Sequence, residues 1–141
     1  VILSRKKDYV EAERLYRRAM ALDTTMEEPV TCLGHIYYDK KDYIEAERLY
    51  RRAMALDPTD ARPVSSLGLI YQNIKMDYVQ SEHFYRIAKA LDPTEGLHCA
   101  NLAVSLLRQG HREDALKEAR EAIELGYRGP HNAFELLGLK P

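Results

Sequence analysis

An all-helical fold of antiparallel helix pairs, an α-solenoid, follows from three observations on the sequence. A segment recurs at a fixed spacing, apolar residues recur at helical intervals within each copy, and cap and stop signals separate them. Residues 6–23 and 40–57 differ only at Val10 against Ile44 and lie 34 positions apart (6 to 40). A third copy occupies 76–93, and a fourth, more divergent, occupies 111–126. A period of this size marks units that cannot bury an apolar face alone and stack to share one core.

The elements follow in order. Over 6–23, Ala12, Tyr16, Ala19 and Met20 share one face of a helix, with Asp8 and Glu11 spaced as a capping box at its start. From Pro29 to Asp39, Val30, Leu33, Gly34, Ile36 and Tyr37 form one stripe, and Pro29 suits a first turn. Lys40-Lys41 then turn the chain into Asp42, which with Glu45 repeats the capping box. The second helix of the pair carries Ala46, Tyr50, Ala53 and Met54 on its face and stops at Asp57-Pro58, because proline disfavours a helical residue before it. Pro63 opens the next pair, Asp77 and Gln80 cap its second helix, and Asp92-Pro93 ends it. That pair holds one extra residue, expected in its turn near Asn73–Met76.

The composition narrows the function classes. The 21 Lys and Arg against 22 Asp and Glu lack the basic excess a general nucleic-acid binder needs, so no nucleic-acid partner is expected. No run of about 18 apolar residues suggests a membrane span. The chain opens at Val1 without a methionine or a visible targeting segment, and a cytoplasmic protein is the expectation. Two cysteines, Cys32 and Cys99, cannot build a disulfide framework or a four-ligand zinc site. The five histidines (His35, His83, His98, His111 and His131) are scattered, and no metalloprotease, nucleophile-elbow or phosphate-loop motif occurs. His98 and Cys99 are neighbours in sequence and do not face each other on a helix. The expectation is a non-enzyme without cofactor or metal, with Cys99 as a buried structural thiol.

The pattern resembles the tetratricopeptide repeat. In the unit beginning at Glu27 the signature positions hold Leu33, Gly34, Tyr37, Ala46, Tyr50, Ala53 and Pro58. In the unit beginning at Ala61 they hold Leu67, Gly68, Tyr71, Ser81, Tyr85, Ala88 and Pro93. The unit beginning at Gly96 keeps Leu102, Ala115, Ala119 and Ala122, but has Ala103 for the glycine and Leu106 for the aromatic. The resemblance implies a right-handed superhelix divided as 1–26 (a partial repeat, mainly its second helix), 27–60, 61–95, 96–130, and 131–141. The last segment reads as the start of a further repeat or as a capping helix. Most of the ten tyrosines fall in repeat columns: Tyr9, Tyr43 and Tyr78; Tyr16, Tyr50 and Tyr85; Tyr37 and Tyr71. Gly34, Gly68, Ala46 and Ala53 are expected at close helix approaches, with Tyr37 and Tyr50 filling gaps between units.

Members of this family generally bind extended peptides or partner helices in a concave groove lined by each unit's first helix. Carried over by position, the groove candidates are Thr31, His35, Tyr38 and Asp39 in one unit. The next contributes Arg62, Ser65, Leu69, Gln72 and Asn73. The following one contributes Leu97, Ala100, Asn101, Val104, Leu107 and Arg108. The expected function is therefore a non-catalytic protein- or peptide-binding module. The alternatives are a scaffold that forms homo-oligomers through its repeat ends, or the interaction arm of a larger enzyme. Co-chaperone members clamp the terminal carboxylate of Hsp70 or Hsp90 with Lys, Asn and Arg. Those slots here hold Thr31 and His35, Ser66, and Leu97 and Asn101, which speaks against an Hsp70 or Hsp90 tail as ligand. Below neutral pH a protonated His35 would favour an acidic ligand, the alternative being a solvated histidine in the groove. The arginines at 14, 17, 18, 48, 51 and 52 read as a solvated, ion-paired outer face, with Glu13–Arg17 and Glu47–Arg51 at the favourable spacing.

Overall fold

The computed structural model describes residues 2–129 and 132–139, with side chains from Asp8 onward except those of 132 and 133. Val1, Pro130, His131, Lys140 and Pro141 lie outside the described residues. The described residues form an all-α chain of α-solenoid type: α1 (Ile2–Leu22), α2 (Glu27–Asp39), α3 (Tyr43–Leu56), α4 (Ala61–Leu69), α5 (Tyr78–Leu91), α6 (Gly96–Arg108), α7 (Arg112–Glu124) and α8 (Asn132–Leu136). The chain divides after Pro63 into two compact units.

In the N-terminal unit α2 packs on both α1 and α3. Its core is Val30, Leu33 and Ile36 from α2 with Leu49 and Ala53 from α3, flanked by Tyr9, Ala12, Tyr16 and Met20 of α1. Gly34 is small for a concrete reason: a Cβ there would stand 2.7 Å from the Tyr50 ring, closer than real carbon atoms approach. Tyr50 therefore packs inside its own helix pair rather than in a gap between units. Tyr37 does reach a neighbouring repeat, where its hydroxyl donates to Glu13 on α1 at 2.5 Å and accepts from Arg17. Glu13–Arg17 and Glu47–Arg51 form at 3.2 and 3.1 Å on exposed surface. Each contributes only tenths of a kcal/mol, on the order of 0.3–0.5.

Asp42 caps α3 by accepting from the Glu45 backbone N–H at 3.2 Å, and Asp77 does the same for α5 with Gln80 at 3.1 Å. Glu45 does not complete the reciprocal box, because its carboxylate is drawn to Arg48 one turn on. Asp8, expected as a cap, instead lies inside α1, which already begins at Ile2. Extending a formed helix adds one hydrogen bond per residue at little cost, so a cap signal is overridden where the preceding residues can stay helical.

The turn out of α2 closes with the Asp42 N–H on the Tyr37 carbonyl and Lys41 at φ 65°. The turn out of α6 closes the same way, with His111 on Leu106 and Gly110 at φ 85°. Lysine there bears the crowding of Cβ against the following carbonyl that glycine avoids. Lys41→Gly should therefore stabilise the unit by about 1 kcal/mol, read as a rise in melting temperature, offset in part by the greater freedom of glycine in the unfolded chain.

In the C-terminal unit α6 packs against α5, α7 and α8. Its core joins Tyr85, Cys99, Leu102, Leu106, Ala119 and Phe134, among others. Here the Cβ position of Gly68 lies 2.5 Å from the Tyr85 ring, the same close approach as in the first unit. The extra residue is absorbed in a π-helical turn, Ile70–Ile74, that continues α4. Widening one turn takes up an inserted residue while leaving the helices on either side in place. That turn delivers Gln72 into the interior, where its Oε1 accepts from Ser105 at 2.9 Å and Ser105 meets Ser81 at 2.7 Å.

Candidate functional site

The first-helix residues expected in a groove fall into three groups. Thr31, Gln72, Ala100 and Asn101 are buried. Thr31 Oγ1 donates to Glu27, and Gln72 is committed to Ser105 and Asn73. These four side chains offer little to a ligand. Tyr38 is half-buried and stacks edge-on against Tyr43 with ring centroids 5.3 Å apart, which places it at the seam of the α2–α3 pair.

The second group is polar and already engaged. His35 Nδ1 lies 2.7 Å from the Tyr50 hydroxyl, and their rings pack at 5.4 Å. Burial, followed by the positive Arg62, holds the imidazole below its ordinary 6.5. Burial disfavours the charged form, so the protonated His35 expected to favour an acidic ligand below neutral pH forms less readily than a free imidazolium. Arg62 is not a free cation either. Its guanidinium is held by Asp60 at 2.6 Å and by Glu28 at 3.0 Å, and those two partners push its pKa further up.

The histidine has a consequence for stability. Its folded-state pKa is depressed, so between that value and 6.5 the unfolded chain binds the proton that the folded one does not. The stabilisation is present above 6.5 and is lost as pH falls below it. His98, also buried and held low despite Asp92, acts in the same direction in the other unit. Denaturant melts between pH 7 and 5 should show falling stability, less steeply in His35→Gln, and a slope unchanged by that substitution would refute the assignment.

The third group is accessible. In the C-terminal unit Leu69, Val104 and Leu107 are partly exposed while resting on the core, Ser65 is half-buried, and Asn73, Leu97 and Arg108 are exposed. In the N-terminal unit His35 and Asp39 belong to a cleft of about 350 Å³ between α1 and α2. Asp8, Tyr9, Ala12 and Tyr16 of α1 face Cys32, His35, Ile36 and Asp39 of α2 across it. At one end Tyr9 donates to the Asp39 carboxylate at 2.8 Å. The α1 wall, Cys32 and Ile36 were not among the residues expected from the sequence. The signal that could have found them is the block 6–23 itself, whose twin at 40–57 is paired with a first helix.

Among the described residues, two places gather three metal-ligating side chains, and each already contains a cation of the protein. Cys99, Glu118 and Glu121 converge, and Lys89 Nζ sits 2.9 Å from Glu118 and 3.0 Å from Glu121. Burial pushes the Cys99 thiol up to about 11, so it stays protonated as a structural side chain. Glu27, Glu28 and Asp60 also converge, around Arg62. No described helix is long and apolar enough to cross a membrane.

Sequence models of one repeat class match along the chain: one described as TPR repeat over residues 34–75, and two described as Tetratricopeptide repeat over 1–30 and 98–128. No curated protein matches. Among solved structures, the "Crystal structure of MamA protein" superposes with a TM-score of 0.73 at 22% identity, covering 83% of this chain and 63% of that one. The "First TPR of Spaghetti (RPAP3) bound to HSP90 peptide SRMEEVD" also gives 0.73, at 20% identity, covering 82% of this chain and 90% of that one. "MamA MSR-1 C2" gives 0.69 at 24% identity, covering 86% and 70%. Likeness at these identities is a likeness of fold, and this chain spans under two thirds of the first structure's length.

Proposed function

The chain is a tetratricopeptide-repeat protein, and from that premise we propose that it is a non-catalytic interaction module that binds a partly apolar peptide on its first helices. The observation that carries the proposal is in the C-terminal unit. Leu69, Val104 and Leu107 lie on first helices and stay partly exposed while anchored on the core, with Asn73 and Arg108 exposed on the same elements. Apolar side chains held rigidly at partial exposure can accept an anchor residue, and nearby polar groups can satisfy a peptide backbone. The solved repeat structure bound to the peptide SRMEEVD supports peptide binding as a use of this fold.

The mode proposed here differs from carboxylate clamping. The clamp positions hold Thr31, His35, Ser66, Leu97 and Asn101, and partial burial disfavours the charged form of His35, the one side chain there that could supply a cation. A peptide with apolar anchors fits this surface better than one recognised by its terminal carboxylate.

The test is a comparison of partner capture from native lysate by the unmodified chain and by Leu69→Glu/Arg108→Glu. A specific partner should be lost with the variant, whose helical circular dichroism should be unchanged. Equal capture by both, with loss instead in Arg48→Glu/Arg51→Glu on the second helix, would move the interaction off the first helices.

A further inference from the structure

The second helices of the repeats α1 and α3 carry nearly the same sequence, 6–23 and 40–57, so a first helix that fits one of those faces fits the other. The second helix α5 is marked at one place. Where α1, α3 and α7 carry Ala12, Ala46 and Ala115, α5 carries Ser81. The first helices change with it: α2 and the π-helical turn carry Ile36 and Ile70 at one column, and α6 carries Ser105 there.

These two columns meet where a second helix packs on the first helix that follows it. At the α1–α2 junction Ala12 and Ile36 belong to one apolar cluster. At the α5–α6 junction Ser81 and Ser105 are fully buried with their hydroxyls 2.7 Å apart, and Ser105 donates to Gln72 at 2.9 Å. Gln72 comes from neither helix. The π-helical turn that absorbs the inserted residue carries it in, and only 8% of it is exposed. Two substitutions and an insertion thus meet in one hydrogen-bonded group. The rim of the junction does not differ in this way, since Glu82 accepts from Gln109 at 2.9 Å as Glu13 accepts from Lys40 at 2.9 Å.

Buried hydroxyls give up the apolar contact that alanine and isoleucine supply, and they recover hydrogen bonds only where the matching partners are present. Set against Ala12 or Ala46, Ser105 would lose Ser81 and Gln72 together and leave a void where an isoleucine belongs. Such a group makes one partner satisfactory and the others not, as a lone buried asparagine does in a coiled coil. We propose that Gln72, Ser81 and Ser105 form a pairing lock, which confines α6 to α5 and bars it from the nearly identical faces of α1 and α3, in the same chain or in a second copy. The lock does not depend on what binds the first helices.

Gln72→Leu/Ser81→Ala/Ser105→Ile gives this junction the apolar character of the others. The unmodified chain and this variant are unfolded in denaturant, refolded by dilution at micromolar to millimolar chain, and separated by size exclusion. The variant should unfold at a midpoint no lower than that of the unmodified chain, yet return several-fold more dimer and larger species. Those species should persist on dilution, because exchanged helices must unfold to part. A monomer fraction equal to that of the unmodified chain overturns the lock. So does excess dimer that falls apart at once on dilution, which would be association through repeat ends. Ser81→Ala and Ser105→Ala, singly and together, test the same group without adding bulk. The two single losses in the unfolding equilibrium constant should multiply to at least about twofold more than the loss in the pair, and strict independence overturns the proposal.

Discussion

Tyr50→Ala should remove about 3–5 kcal/mol from the N-terminal unit, as truncation of a fully buried aromatic does. The ring is 1% exposed and lies against Gly34, which has no side chain to fill the space it leaves. The truncation also removes the hydroxyl 2.7 Å from His35 Nδ1, leaving a half-buried imidazole short of a partner. Tyr50→Phe separates the two contributions and should cost about 1 kcal/mol for the hydrogen bond alone. Tyr16 is the internal control. It has the same neighbours in sequence but lies beside an open cleft, so Tyr16→Ala should cost about 1 kcal/mol, in the range of an ordinary substitution. Denaturant midpoints at constant slope measure all three. Equal losses at Tyr16 and Tyr50 would mean that cover by α2 is not what holds Tyr50.

The contrast between those two tyrosines also marks how far the sequence could be read. Periodicity, caps and stops were enough for the helix pairs, because each depends on residues within a few positions of one another: Asp42 with Glu45, Asp77 with Gln80, Asp57 with Pro58. Local signals misled only where the chain had two workable local choices. Asp8 could have begun a helix but continues one, and the extra residue near Asn73 widened a helical turn instead of lengthening a loop. The candidate site was harder to read. Its exposure depends on what lies across from each side chain, and identical sequences carry no information about that. Thr31 and Ala100 sit at first-helix positions suited to a ligand yet are buried, while Ala12 and Tyr16 sit at core positions yet line a cleft. His35 reads as a switchable cation until the burial and the nearby Arg62 that disfavour its protonation are known.

Gly68→Leu should cost about 3 kcal/mol or somewhat more, near the upper end for overpacking a core. The gain of about 1 kcal/mol from removing a glycine from a helix interior cannot offset it. The reason is distance: the new Cβ alone would stand 2.5 Å from one Tyr85 ring carbon and 2.8 Å from the next. Tyr85 is fully buried and shares its cluster with Leu102 and Leu106, so the ring cannot swing clear without moving α6. Even Gly68→Ala should be destabilising, by about 1–2 kcal/mol, because the clash outweighs the helix propensity gained. The chain itself carries the compensated version of this pair. At the corresponding positions of α6 and α7 the glycine is Ala103 and the tyrosine is Ala119, both buried in one cluster. Small residue and large ring are thus two halves of one solution, and two alanines are another. Gly68→Ala combined with Tyr85→Ala should therefore lose less than the sum of the single losses, by about 0.5–3 kcal/mol, the range seen for residues in contact. Strict additivity would place the constraint on Gly68 elsewhere than the tyrosine ring. A shortfall would identify the glycine–tyrosine contact as the local rule by which this sequence sets the spacing of its helix pairs.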